Sequence, residues 1–267
     1  MITKTFFDSD LTFKKAQELI KDGANVNETN LNGSTPLFYV ENIEMARLYI
    51  SNGANVNAIN NDGQTPLFNA RTKDIAQLLI SHGADVNKAD YKLRTPLHLI
   101  YNVSILKLLI DNKADINAKT NDGSTPLHYH YGNIKALRLL IKNGADVNDK
   151  NRSLSTVLHR ANSTKIIKFL IDKGANLNQV DNSGVTPLDM IYKEDEARLL
   201  INANGLGREI KTYKKFRNLF TKDQQEAFDT FASIANNDDN FFFQMCLTYQ
   251  NDQKNHVQMD IKEMEIL

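Results

Sequence analysis

Three histidines occupy one position of a recurring tetrad: His98 and His128 in TPLH, His159 in TVLH. Imidazoles in register invite a metal reading. Zinc holds nitrogen ligands at roughly 2.0–2.1 Å, whereas packed helices stand about 8–10 Å apart. Histidines on three successive repeats therefore cannot share one ion. The lone cysteine, Cys246, makes a possible thiol nucleophile only with His256. Such a nucleophile needs a base and a group to orient the base, and no third member is in sight. Cys246 lies in the apolar run FFFQMCL and is expected to be buried. The chain has no glycine-rich phosphate loop, no Cys-x-x-Cys, no His-Glu-x-x-His and no Gly-x-Ser-x-Gly. These residues predict no enzyme, no metal site and no cofactor. The chemistry that remains is recognition.

The elements that position these residues repeat. TPLF begins at Thr35 and Thr65, TPLH at Thr95 and Thr125, TVLH at Thr156 and TPLD at Thr186, at intervals of 30, 30, 30, 31 and 30 residues. A second signature keeps phase with it: GANVN from Gly23 and Gly53, GADVN from Gly83, KADIN from Lys113, GADVN from Gly144 and GANLN from Gly174. Thr before Pro starts a helix, with the threonine expected to accept a backbone N–H and the proline suited to the first turn. A second helix shows apolar spacing of three and four, as at Ile43, Ala46, Leu48 and Ile50, or Ile105, Leu108, Leu109 and Ile110. Asn42, Thr72, Asn102, Asn133 and Ser163 mark its start, and Lys193 alone breaks that column. It ends where a left-handed residue is needed, at Gly23, Gly53, Gly83, Gly144 and Gly174, with Lys113 and Asn204 as substitutes. Asn32-Gly33, Asp62-Gly63, Asp122-Gly123 and Ser183-Gly184 then signal turns.

Helix, short loop, helix and hairpin-like finger, with T-P-L-H at a fixed period, resembles the ankyrin repeat. The resemblance implies an all-α ankyrin-repeat solenoid of about seven helix–loop–helix units with finger loops, capped by a small helical C-terminal segment. Residues 1–206 are expected to form the solenoid, with 1–34 as its capping repeat, and 207–267 the capping tail. The tetrad histidines would then be structural hydrogen-bonding residues, a role that Phe38, Phe68 and Asp189 show is not needed in every unit. The family unit has about 33 residues, so these units fall short. The deficit lies between the tetrad and the second helix, and the first helix or its loop should be about one turn short. That helix lines the concave side in the family, so the groove should be shallower or differently curved. Units this short look more like bacterial ankyrin proteins than animal ones.

The tail repeats nothing. Gly207 to Lys222 carries six basic residues and one acid, and Asp223 to Leu267 two basic and nine acidic. The basic run could bind nucleic acid or anionic lipid, or be the wet face of a capping helix paired with the protein's own acids. Ile210, Tyr213, Phe216 and Phe220 recur at helical spacing. Thr221 with Gln224 reads as a capping box for a helix through Ala235, followed by a turn from Asn236 to Asn240. Phe241 to Leu267 fits a helix, though Val257, Met259 and Ile261 alternate like a strand.

The recognition surface is sought where the family docks partners, on finger tips and the first-helix face. The segment His128-Tyr129-His130-Tyr131 lies in the one unit with an additional residue. With Tyr101 it offers tyrosines, which bury much area at little entropic cost. The same tyrosines could instead fill space left by the short first helix. The central fingers add Tyr91, Lys92, Arg94, Lys119, Lys150 and Arg152. The candidate partner-binding set is therefore Tyr91, Lys92, Arg94, Tyr101, Lys119, Tyr129, His130, Tyr131, Lys150 and Arg152, suited to an acidic protein surface.

Composition is consistent with this. Lys plus Arg and Asp plus Glu both number 32, and a neutral chain is a poor default for coating nucleic acid or anionic membrane. One cysteine allows no internal disulfide. MITKTFFDSDL carries acids and lacks the apolar core of a leader, and no apolar run approaches a membrane span. The expectation is a cytoplasmic protein that needs no small-molecule substrate and binds another protein, neutralising or modulating it as an immunity or antitoxin-like factor would. The alternative is a secreted effector or adaptor, exported without a cleaved leader, whose repeats capture a host protein while its tail recruits a second partner.

Overall fold

The computed structural model of the chain describes residues 5–8 and 11–254. The described residues are helical with intervening loops, in the helix–loop–helix repeat architecture of a solenoid. They group into two compact units, the first running to His130 and including Lys135–Ala145, the second formed by Tyr131–Ile134 and the described residues from Asp146 onward.

In the first unit, the helix Phe13–Lys21 is followed by pairs of a one-turn and a nine-residue helix: Pro36–Tyr39 with Ile43–Ser51, Pro66–Asn69 with Lys73–Ser81, and Pro96–Leu99 with Val103–Asp111. Each first helix is a single turn, which is where the sequence placed the missing residues. The predicted caps close the long helices: Asn42 Oδ1 accepts from Met45 N (2.9 Å), Thr72 Oγ1 from Ile75 N (3.2 Å) and Asn102 Oδ1 from Ser104 N (2.9 Å). At their far ends Lys113 adopts φ +68°, in the slot where Gly83 has +86°. A side chain there costs about 1 kcal/mol or more.

Leu37, Leu67, Leu97 and Leu127 form a fully buried column, and Ala46, Ala76 and Leu106 another. Leu79 and Leu109 line a third, in which the first repeat has Tyr49 instead, buried under the edge of Phe6 at 5.4 Å. The spacing pattern had named Leu48 and Ile50, which are only half-buried. Burial pushes the Tyr49 hydroxyl up to about 12.

A polar staple accompanies each apolar step. Asn27 Nδ2 donates to Gly53 O (2.9 Å) while its Oδ1 accepts from Asn55 N (2.8 Å). Asn57 and Asn87 do the same one repeat further on. In the second unit Asn148 bridges to Gly174 O and Asn176 N, and Asn178 to Asn204 O and Leu206 N. The closing asparagine of G-A-N-V-N is thus the residue that fixes one repeat against the next.

The second unit contains Val157–Arg160 with Thr164–Asp172, Leu188–Met190 with Glu194–Asn202, and then Ile210–Phe216, Lys222–Ile234 and Asp239–Lys254. Ser163 caps as expected, and Lys193 supplies no side-chain cap. Glu194, Asp195 and Glu196 in that helix's first turn favour the positive end of its dipole. The capping box forms, with Thr221 N donating to Gln224 Oε1 (3.0 Å) and Gln224 N to Thr221 Oγ1 (3.2 Å). The expected turn over 236–240 ends earlier, because Asp238 Oδ1 accepts from Asn240 N and Phe241 N and the helix starts at Asp239. That helix runs to Lys254; the alternation at Val257, Met259 and Ile261 lies outside the described residues, as does His256. Tyr213, Phe220, Phe228 and Phe242 pack ring against ring at 5.4–6.4 Å. Among the described residues no helix is long and apolar enough to cross a membrane.

Candidate functional site

The fingers are small, tightly bonded hairpins. In the third, Asp90 Oδ1 accepts from Lys92 N and Arg94 N, both at 2.9 Å, and Leu93 N donates to Asp90 O at 2.8 Å. Successive fingers bond through their backbones: Asn61 N to Asn32 O, Tyr91 N to Asp62 O and Asn121 N to Lys92 O. This fixes the tips before any partner arrives.

The candidate residues fall into three groups. Tyr91, Lys92, Tyr101 and Lys119 are exposed in the first unit, and Lys150 and Arg152 in the second. Tyr91 is 66% exposed yet placed, because its ring lies over Gly63, where a Cβ would come within 2.9 Å of Cδ1. Arg94, Tyr129 and Tyr131 are half-buried. Arg94 departs from the expectation of a displayed cation. Its Nη2 lies 2.6 Å from Asp90 Oδ2 and its Nε donates to the same oxygen at 2.8 Å. Burial by itself would raise the Asp90 carboxyl, but the bonds from Arg94 and the Lys92 N–H hold it below its ordinary value. Arg94 therefore braces the finger. Tyr129 sets its ring edge-on to His98 at 5.2 Å. In the second unit, the Arg160 guanidinium sits 4.4 Å over the Tyr131 ring, a cation–π contact.

His130, expected at the recognition surface, is not displayed there. It is fully buried, occupying the inward column of Val40, Ala70 and Ile100. Its Nε2 lies 2.9 Å from Leu97 O, its Nδ1 has no partner, and Tyr101 leans edge-on to it at 5.4 Å. Burial lowers its proton affinity, so it is a neutral packing group supporting Tyr101 and not a contact for a partner.

The tetrad histidines bond as the resemblance implied, and their threonines close capping boxes, Thr95 with His98, Thr125 with His128 and Thr156 with His159, whereas Thr35 and Thr65 supply no side-chain cap. Thr95 N donates to His98 Nδ1 (3.1 Å), with Thr95 Oγ1 at 3.0 Å from the same nitrogen, and His98 Nε2 lies 3.3 Å from Ser124 O. His159 repeats this on Thr156, with Nε2 at 3.1 Å from Gln179 O and 3.3 Å from Val185 O. Both ring nitrogens are used within the fold. Burial drives His98 down to about 4, which keeps Nδ1 an acceptor. Asp189 does a related job: Oδ2 accepts from Thr186 N (2.9 Å) and Thr186 Oγ1 (2.7 Å), and also from Arg208 N (2.9 Å) at the start of the tail.

Cys246 is 1% exposed and burial pushes its thiol well up, the reverse of an activated thiolate. Much of the basic run is tied to the protein itself. Arg217 pairs with Asp229 and bonds Gln225, Lys211 pairs with Glu209 at 2.8 Å, and Lys215 Nζ donates to Ile191 O at 3.2 Å.

The structure also displays residues that spacing did not single out. Leu93 and Leu154 stand exposed at finger tips, Leu31 is 99% exposed, and Met190 is exposed beside the tail. The signal for the two finger leucines was the missing glycine after Lys92 and after Ser153.

The described residues form a helix–loop–helix array whose successive fingers are hydrogen-bonded to one another. The family model for ankyrin repeats (3 copies) matches residues 11–90, 90–151 and 130–211, so the chain belongs to the ankyrin repeat family. It is similar to the solved ankyrin repeat domain of human ASB11, at 26% identity and a TM-score of 0.65, over 72% of this chain and 93% of that one. It also shares the fold of the ankyrin repeat domain of Bcl-3, a member of the IkappaB protein family, at 24% identity and a TM-score of 0.56, over 70% and 91%. No curated protein matches the chain. The ankyrin repeat domain is a general protein–protein interaction module and in general non-catalytic.

Proposed function

We propose that this chain is a non-catalytic module that binds the acidic surface of a partner protein through its finger tips and first-helix face. The observation that carries this reading is the display of cations and aromatics on pre-bonded fingers: Tyr91, Lys92 and Lys119 in one unit, Lys150 and Arg152 in the other. Held side chains lose less freedom on binding. Exposed lysine and arginine steer acidic partners. The inferred outcome for the partner is neutralisation or modulation, in the manner of an immunity or antitoxin-like factor of bacterial type. The tail supports this over a two-handed adaptor, since its first residues bond Asp189 and its Lys215 bonds Ile191 O.

The test is a quantitative affinity capture with the full chain, comparing wild type with the charge reversals Lys92→Glu with Lys119→Glu, and Lys150→Glu with Arg152→Glu. A partner bound through these tips should be lost from one or both variants by about tenfold or more, and more steeply at low salt. A partner retained equally by both variants sinks the finger assignment.

A further inference from the structure

At four finger tips the residue in the left-handed conformation is a glycine: Gly33, Gly63, Gly123 and Gly184, with φ of +72°, +79°, +77° and +79°. At the other two it is a leucine, Leu93 and Leu154, each at φ +58°. A branched apolar side chain in that region is strained where glycine is not. Both leucines are also left in solvent, at 49% and 43% exposure. Neither cost serves the fold, since a glycine completes the same turn elsewhere. Strain retained against surroundings that over-determine it points to function.

The surroundings do over-determine both turns. Around Leu93 the chain is held by the Asp90 carboxylate, by Leu93 N on Asp90 O, and by Asn121, whose N donates to Lys92 O (3.0 Å) and whose Nδ2 donates to Tyr91 O (3.3 Å). Around Leu154 the same frame recurs. Asn151 Oδ1 accepts from Ser153 N and Ser155 N, both at 3.0 Å, Asn182 N donates to Ser153 O (2.9 Å) and Asn182 Nδ2 to Arg152 O (2.9 Å).

Exposed cations lie close to each leucine along the chain or on the finger bonded to it: Lys92 precedes Leu93 and Lys119 is two residues before Asn121, which bonds Lys92 O, while Lys150 and Arg152 precede Leu154. Of the nearby acids, Asp90 is buried, Asp181 is half-buried, and Asp62 and Asp122 are exposed. Asp90 is paired with Arg94, Asp122 bonds Thr120 and Ser124, and Asp181 accepts from Ser183 N and Val185 N.

We propose that Leu93 and Leu154 are the anchors of two separate docking tips, each taking an acidic partner segment that carries an apolar residue. This rests on the protein-binding reading above. The cations hold the flanking carboxylates, and the rigid leucine meets the apolar side chain.

The experiment uses the full chain with Leu93→Gly and Leu154→Gly, singly and together. The probes are short synthetic peptides of Asp and Glu around a central Leu or Phe, with controls in which Lys replaces each acid or Ser replaces the apolar residue. The expected result is an opposition. Each glycine variant should melt higher, by about 2–4 °C, while the double variant binds the acidic apolar peptides about tenfold or more weakly. Tight binding of those peptides by wild type and by the double variant alike overturns the anchors but leaves the acidic-partner reading standing. No binding of any acidic peptide by wild type overturns both. Leucine-dependent binding to vesicles of anionic lipid, in place of the peptides, overturns the protein segment as occupant.

Discussion

The repeats that carry histidine in the tetrad and those that carry phenylalanine build the same turn by different means. In both, the backbone N–H of the fourth residue bonds the threonine carbonyl, at 3.0 Å for Phe38 and for His98. Above that turn they diverge. His98 engages Thr95 through Nδ1 and presents Nε2 to Ser124 O on the next finger, linking two repeats. Phe38 and Phe68 offer only a buried face, and the hydroxyls of Thr35 and Thr65 are left without partners. The last repeat has Asp189, and beyond it stands the tail in place of another finger. There the carboxylate meets the N–H groups of Arg208 and Glu209 as the helix Ile210–Phe216 begins. A donor faces carbonyls, an acceptor faces a helix start, and a ring suffices where apolar burial alone holds the step. The tetrad position thus adapts to the polarity of its neighbour.

Three measurements break or sharpen this comparison, the largest effect first. Burial holds His98 at about 4 against an ordinary 6.5. The native state therefore binds fewer protons than the unfolded chain between those values, and stability is full above 6.5 and falls as pH drops towards 4. His98 alone should remove on the order of 3 kcal/mol across that window. Burial also lowers His159 and His130, so both act in the same direction. Denaturant titrations at stepped pH should show the loss, and a His98→Phe variant should show a shallower one. A profile unchanged by that substitution breaks the assigned role.

Next comes Asp189→His, which gives the last repeat the group used in the middle. It removes the acceptor for Arg208 N and Glu209 N, and should cost about 2 kcal/mol. Hydrogen exchange should show faster opening of Ile210–Phe216, with no change in the first unit. Smallest is a pair of isosteric changes. Thr95→Val should cost about 1 kcal/mol because a bonded hydroxyl is lost, while Thr65→Val, which removes an orphan hydroxyl, should be neutral or stabilising. Equal costs at the two sites would mean that the histidine bond contributes nothing.

How far the site was legible can be seen residue by residue. Tyr91, Lys92, Tyr101, Lys119, Lys150 and Arg152 are exposed, as a repeat phase read from the tetrads allows one to expect. Arg94 was misjudged because spacing shows a cation on a finger but not that Asp90, four residues before it, curls back to hold it. His130 was misjudged because a one-turn helix gives too short a stretch to assign faces, and the additional residue of that unit hides which position points inward. Leu93 and Leu154 passed unnoticed because absence of a glycine is a weaker signal than its presence. In the tail the capping box was plain, but the partners of its basic run were not.

The sequence by itself determined the repeat, its period, the helix starts and stops and the missing turn of the first helices. Each of these is local: a threonine before a proline, an asparagine before an apolar stripe and a glycine at a left-handed turn act within a few residues. Tertiary structure alone decided which polar groups meet. The bonds from Asn27 to Gly53, from His98 to Ser124 and from Asp189 to Arg208 join residues 19 to 26 positions apart. Such a bond exists only once the helices have packed and brought its donor and acceptor into reach, so no local pattern records it.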